Sequence, residues 1–211
     1  MPEKQQKIFC IGFQKTGTSS LGKALKLFGY RVSGYDSFRH HQDDQDVTMD
    51  KLWDTALEVT KDHDAFQDTP WPVFYERLDV AFPGSRFIHV TRNENDWIRS
   101  VRKDFGKHHN EMHRLIYGSG NPLGFEQDWL ARYRRHNSEA AEYFSGRPES
   151  YLHMHMGDPS YGWDALCAFL DLPKPAVPWP HANPRGLKAR KAFIARNLHR
   201  LQRLVRRPNQ A

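Results

Sequence analysis

The run KIFCIGFQKTGTSSL, residues 7 to 21, restricts the fold of this chain more than any other stretch. Its first half, KIFCIGF (7–13), is apolar without alternation, as a strand covered on both faces of a parallel sheet must be. Its second half opens a helical pattern, because Leu21, Ala24, Leu25 and Phe28 recur at i, i+3, i+4 and i+7 before Gly29 supplies a stop. A strand that passes through a short glycine-containing turn into a helix gathers backbone N–H groups at the positive end of that helix. Such a turn is a natural seat for an anion.

The rest of the chain repeats the alternation. YRVSGY reads as a second strand, DAFQD (64–68) as a short one, RFIHVT (86–91) as a buried one and YLHMHM (151–156) as a late one. Between them lie helical stripes: Met49, Leu52, Trp53 and Ala56; FYERLDVAF (74–82); NENDWIRSVRKDF, with Asn95 or Asp96 as its cap; and a long charged helix from Gly124 to Phe144. Trp163, Leu166, Cys167 and Leu170 give one more. Strands separated by helices predict an α/β three-layer sandwich around a central, mostly parallel sheet, P-loop-like in its first unit. At 211 residues it is expected to be a single domain, 1–211. LPKPAVPWPHANP (172–184) is expected to run as a proline-rich extended loop. Leu187 to Arg207 is expected to form a basic amphipathic helix, docked through Leu187, Ile194, Leu198, Leu201 and Val205.

No stretch approaches the roughly 20 apolar residues of a membrane span, and MPEKQQK leads into the first strand without a secretory h-region. Cys10 and Cys167 sit in apolar surroundings, which suits buried thiols in a reducing compartment. A cytoplasmic protein without stable membrane insertion is expected. The net charge of +6 favours an anionic ligand but does not choose between nucleic acid, acidic membrane and a small phosphorylated molecule.

The loop narrows that choice. Gly12 and Gly17 are spaced like the two glycines of a Walker A loop, yet Gly17 is followed by Thr18 and Ser19, and Lys15 stands two residues before it. The lysine that grips β- and γ-phosphates is therefore missing from its usual place. Thr16, Thr18, Ser19 and Ser20 crowd hydroxyls at the same point, so many neutral donors and one ammonium would hold the anion. A plain capped helix start would also use Thr and Ser. A second segment, FIHVTRNENDWIRS, puts Arg92 at the end of a buried strand and Ser100 eight residues on.

Together, K-T-G-T-S-S after the first strand and V-T-R-N-x-x-D-x-x-x-S after a later one resemble the motifs of the sulfotransferases that use 3′-phosphoadenosine-5′-phosphosulfate (PAPS). DTPWPVFYERLDVAFPGSRFIHVTRN and GWDALCAFLDLP followed by PHAN are similar to a short-chain branch of that superfamily, so the resemblance spans most of residues 7 to 184. The resemblance implies that Lys15, Thr16, Gly17, Thr18, Ser19 and Ser20 line the 5′-phosphosulfate site. Arg92 and Ser100 would take the 3′-phosphate. The frequent R-N-P-x-D of the family is R-N-E-N-D here, without its proline. The family's R-K-G loop has no clear copy, and NPRGLKARK, with Arg185 and Lys188, stands in its place as a candidate.

The implied chemistry is transfer of a sulfuryl group from PAPS to a hydroxyl or amine, leaving adenosine 3′,5′-bisphosphate (PAP) and needing no metal. Lys15 would neutralise charge at the bridging oxygen, and a base would take the acceptor's proton. Where small-molecule members carry a histidine, this chain has FQDTPWP; Asp68 is the ionisable residue nearest that slot, and Asp36 in SGYDSF is its competitor. The expected partner is a small-molecule acceptor and not nucleic acid. Trp53, Trp71, Phe74, Tyr75, Tyr117 and Trp129 are candidates to line an aromatic cleft, with residues 108–124 as a lid. His153 and His155 share a strand face, but no cysteine or carboxylate set completes a zinc site, and Cys167 reads as a core residue. Two other readings remain: a kinase-like P-loop enzyme acting on another nucleotide, and a catalytically silent nucleotide-binding or interaction protein.

Overall fold

The computed structural model describes residues 6–181; Arg185, Lys188 and the expected basic helix at 187–207 lie outside them. Five strands form one sheet: β1 (Ile8–Cys10), β2 (Val32–Ser33), β3 (Ala65–Phe66), β4 (Arg86–Arg92) and β5 (Tyr151–Met156). All pairs are parallel, in the order β2-β3-β1-β4-β5. Seven α-helices connect them among the described residues: α1 (Thr18–Leu27), α2 (Met49–Asp62), α3 (Tyr75–Ala81), α4 (Glu94–Phe105), α5 (Glu111–Tyr117), α6 (Glu126–Tyr143) and α7 (Trp163–Leu170).

The two faces of β1 explain the three layers. Ile8 and Cys10 pack with Leu21 and Leu25 of α1, Met154 of β5, and Trp163 and Leu166 of α7. Phe9 and Ile11 point to the other side, against Leu52 of α2, Trp71, Leu78 of α3 and Phe144. A strand buried on both faces has no use for polar alternation, which is why the run read as continuously apolar. A third cluster beyond the end of β1 joins Phe13 to Trp97 of α4, Tyr117 of α5, and Trp129 and Tyr133 of α6. From β1 the chain turns towards the β2 edge, and from β4 it turns towards the β5 edge. The two connections part beside the carboxyl ends of β1 and β4, where open α/β sheets offer a crevice to ligands.

Several expectations are corrected. Asn93, and not Asn95 or Asp96, caps α4: its side chain accepts from the N–H groups of those two residues at 3.0 and 3.3 Å. The aromatic residues expected to line a cleft are core instead, with Trp71 and Trp129 fully buried and Phe74, Tyr75 and Tyr117 nearly so; Trp53 packs edge-on against Phe74. Large flat side chains remove more apolar surface from water between layers than at a wet mouth. The segment 108–124 is not a bare lid, since it contains α5, whose Met112, His113, Ile116 and Tyr117 are buried. The proline-rich segment is extended through residue 181 as expected, and it is tied to α7 by a hydrogen bond from Trp163 Nε1 to the Val177 carbonyl at 2.7 Å. Cys10 and Cys167 are both buried free thiols, and burial pushes the Cys10 thiol well up. No helix of the described residues is long and apolar enough to cross a membrane.

Three buried imidazoles make the fold acid-sensitive. His89 donates from Nε2 to Asn137 Oδ1 at 3.0 Å and meets the Tyr151 hydroxyl at 2.8 Å, while His136 donates to the Ile11 carbonyl at 2.7 Å. Burial holds His89 and His113 down to about 4 and His136 down to about 3, against an ordinary value of 6.5. Their folded-state values are depressed, so the stability they confer is complete above 6.5 and is lost as the pH falls towards 4. Each group costs about 1.4 kcal/mol per pH unit in that window. The denaturant midpoint is therefore expected to fall steeply between pH 7 and pH 5, and an unchanged midpoint would show that these rings protonate without strain.

Candidate active site

The loop between β1 and α1 is shaped by close approaches and by two left-handed residues. A Cβ on Gly12 would collide with the Val90 carbonyl oxygen and lie 2.9 Å from the Val90 carbonyl carbon and nitrogen, so only glycine lets β1 leave the sheet beside β4. Lys15 and Gly17 have φ of 69° and 111°. Gly17 is the N-cap of α1, and a Cβ there would strike the ring of Tyr161, whose hydroxyl donates to the Gly17 carbonyl at 2.8 Å. The Gly17 carbonyl also accepts from the N–H groups of Ser20 and Leu21. No acidic residue stands in the first turn of α1, so nothing on the helix itself opposes an anion at its positive end.

The sequence-predicted loop residues divide in role. The Thr16 hydroxyl is spent inside the loop, donating to the Phe13 carbonyl at 2.7 Å, and Thr18 is buried. Ser19 is exposed at the helix mouth and Ser20 half-buried. Lys15 is ion-paired through Nζ with Asp104 near the end of α4, a partner the sequence reading missed. Arg185 lies outside the described residues.

The second motif is brought onto this loop. Arg92 ends β4, its backbone N–H and carbonyl both bonded to the Tyr133 hydroxyl at 2.8 Å, and its Nη1 donates to the Lys15 carbonyl at 3.1 Å. From α4, Trp97 Nε1 donates to the Gln14 carbonyl at 2.9 Å, and Asp104 holds Lys15. Trp97, Ser100 and Asp104 are spaced i, i+3 and i+7, on one helical face, so the half-buried Ser100 stands between two contacts with the loop. The two sequence motifs thus converge on one side of the molecule. A cation, a guanidinium, an exposed hydroxyl and a helix N-terminus suit a ligand with more than one anionic group, and in this respect the residues fit an adenosine carrying phosphates at two positions.

A cavity of about 770 Å³ adjoins the loop, walled among others by Gln14, Tyr35, Asp68, Asp104, Phe105 and Asn110. Asp68 follows β3 with φ of 76° and accepts from the Thr69 N–H at 2.8 Å. Burial pushes its carboxyl up from the usual carboxylate range; the Thr69 N–H and the Lys15 charge pull it back, and the Asp36 charge adds to the rise. Asp36 itself is 86% exposed and paired with Arg39 in the turn after β2, so it does not share the cavity wall. His153 and His155 do lie on one strand face, where both meet the Thr91 hydroxyl, at 2.8 and 2.9 Å. Gln14 lies within the loop run but was not among the residues expected at the site. Tyr35, Asp104 and Asn110 reach the cavity from three separate elements, and no local spacing joins them.

Residues 7–123 and 103–187 match the family described as the sulfotransferase domain. A curated relative, Ava biosynthesis cluster protein M of Aspergillus versicolor, is 24% identical over 217 residues, covering 83% of this chain and 80% of that protein. A crystal structure of a sulfotransferase from Alicyclobacillus acidocaldarius matches with 18% identity and a TM-score of 0.49, covering 97% of each chain.

Proposed function

The chain belongs to the sulfotransferase domain family, and from that premise we propose that it transfers a sulfuryl group from PAPS to a hydroxyl or amine of a small acceptor. One observation carries the choice of donor: Arg92 reaches the carbonyl of Lys15, and α4 presents Ser100 between its two contacts with the loop. Two anion-binding sets on one side of the sheet suit a nucleotide phosphorylated at both 3′ and 5′ positions better than a triphosphate. The missing G-K-[ST] points the same way.

In this reading the donor supplies the activated sulfuryl group, and Lys15, Thr18, Ser19, Ser20 and the N-terminus of α1 hold its 5′ end. Arg92 and Ser100 hold the 3′-phosphate. Lys15 is half of an ion pair with a half-exposed carboxylate, which a multiply charged anion can replace at little cost. Its ammonium neutralises charge on the departing bridging oxygen. Asp68, raised by burial and set in the cavity wall, is placed to take the acceptor's proton. Activity should then rise with pH through a value above the ordinary carboxylate range, and Asp68→Asn should remove that limb while leaving PAP binding intact.

Thermal stabilisation tests the donor. At 100 times its dissociation constant PAP should add about 2.7 kcal/mol to stability, whereas ADP with magnesium should add little. Protection by ADP and magnesium alone would favour the kinase-like reading, and protection by neither would favour a silent interaction protein.

A further inference from the structure

The cavity beside Asp68 contains polar groups that the donor reading does not use. Gln14 is 2% exposed; its Oε1 accepts from the Thr69 and Tyr117 hydroxyls at 2.7 and 3.0 Å, yet its buried Nε2 has no partner among the described residues. His113 is 4% exposed, and its Nδ1 is likewise buried and unpaired. Both residues line the cavity. An unpaired buried polar atom costs about 1–3 kcal/mol, and these two belong to residues that line one space, so a ligand seated there could complete their bonding once the side chains turn towards it. The walls also carry three carboxylates, Asp43, Asp68 and Asp104, the last paired with Lys15 until a donor takes that ammonium, against the one ammonium of Lys107, although the chain as a whole is at +6. The large aromatic residues are withdrawn into the core, which leaves Tyr35 and Phe105 as the flat surfaces.

We propose that this cavity takes a small polyhydroxylated amine as the sulfuryl acceptor, its ammonium held by Asp43 and Asp104 and its hydroxyls by Gln14 and His113. The assignment rests on the sulfuryl-transfer reading above. An acceptor hydroxyl oxygen forms the new O–S bond as the S–O bond to the phosphate bridging oxygen breaks; the proton passes to the Asp68 carboxylate, and the negative charge leaves on the bisphosphate. Anionic acceptors meet like charge at the rim, and flat phenols leave Gln14 and His113 unpaired.

Three probes on one ring isolate the charge: D-glucosamine, D-glucose and D-glucuronate, with 4-nitrophenol as the flat alternative. With PAPS and the full chain, the rate of PAP release should give kcat/KM at least tenfold higher for glucosamine than for glucuronate or 4-nitrophenol. Asp43→Asn, at an exposed rim position, should shrink the ratio of glucosamine to glucose while PAP affinity, measured by calorimetry, is unchanged. Equal or better use of glucuronate or 4-nitrophenol by a chain that binds PAP overturns the acceptor assignment alone. A chain that does not bind PAP overturns the donor reading, and the acceptor assignment with it.

Discussion

Lys15→Ala is expected to lower turnover by about 10²- to 10³-fold while changing stability by less than about 1 kcal/mol. The two effects separate because of where the lysine sits. Its ammonium is the cation of the loop between β1 and α1, and in the proposed reading it would stand where charge appears as the leaving oxygen departs. Its ion-pair partner, Asp104, has a side chain 40% exposed and does not become a stranded buried charge when the lysine is removed. The loop backbone is held by other bonds: Trp97 to the Gln14 carbonyl, Thr16 to the Phe13 carbonyl and Tyr161 to the Gly17 carbonyl. Single-turnover rates and a denaturation curve on the same preparation check this. Turnover like that of the unmodified chain would dismiss the proposed role of Lys15.

Gly12→Ala is expected to have the opposite signature, a loss of about 3 kcal/mol or more in stability. The added Cβ would meet backbone atoms of Val90 in the adjoining strand, and a strand in the middle of a sheet cannot step aside as a flexible side chain can. Gly29→Ala is the control. Its φ of 89° is left-handed, but nothing lies within 4 Å of the added carbon, so only the conformational strain of about 1–2 kcal/mol remains. A Gly12 variant no less stable than the Gly29 variant would mean that the β1–β4 contact relaxes and that Gly12 serves the loop in some other way.

Most of the architecture was legible because the strands were short runs rich in apolar residues and most helices were stripes of period near 3.6, both local signals; α5, only seven residues long, fell within the segment expected as a lid. The loop and the Arg92–Ser100 segment were legible for the same reason, since each is contiguous. What sequence could not supply was the pairing between distant elements. Asp104 lies 89 residues from Lys15, and Tyr117 lies 103 from Gln14; neither partner has a spacing that announces it. The aromatic residues misled because composition does not say whether a tryptophan faces a cleft or a core, and the burial of Trp71 and Trp129 shows that interior packing took them. Of the two carboxylates left open as base, Asp36 is turned to solvent beside Arg39 and Asp68 lines the cavity, a difference that depends on the turn after β3.

The most direct measurement is equilibrium binding of PAP and of 5′-AMP, which lacks the 3′-phosphate, to the unmodified chain and to Arg92→Met. If the loop and Arg92 grip two ends of one nucleotide, the unmodified chain prefers PAP by tenfold or more, and Arg92→Met loses most of that preference while its affinity for 5′-AMP barely changes. Equal affinity for the two nucleotides in the unmodified chain would contradict the account.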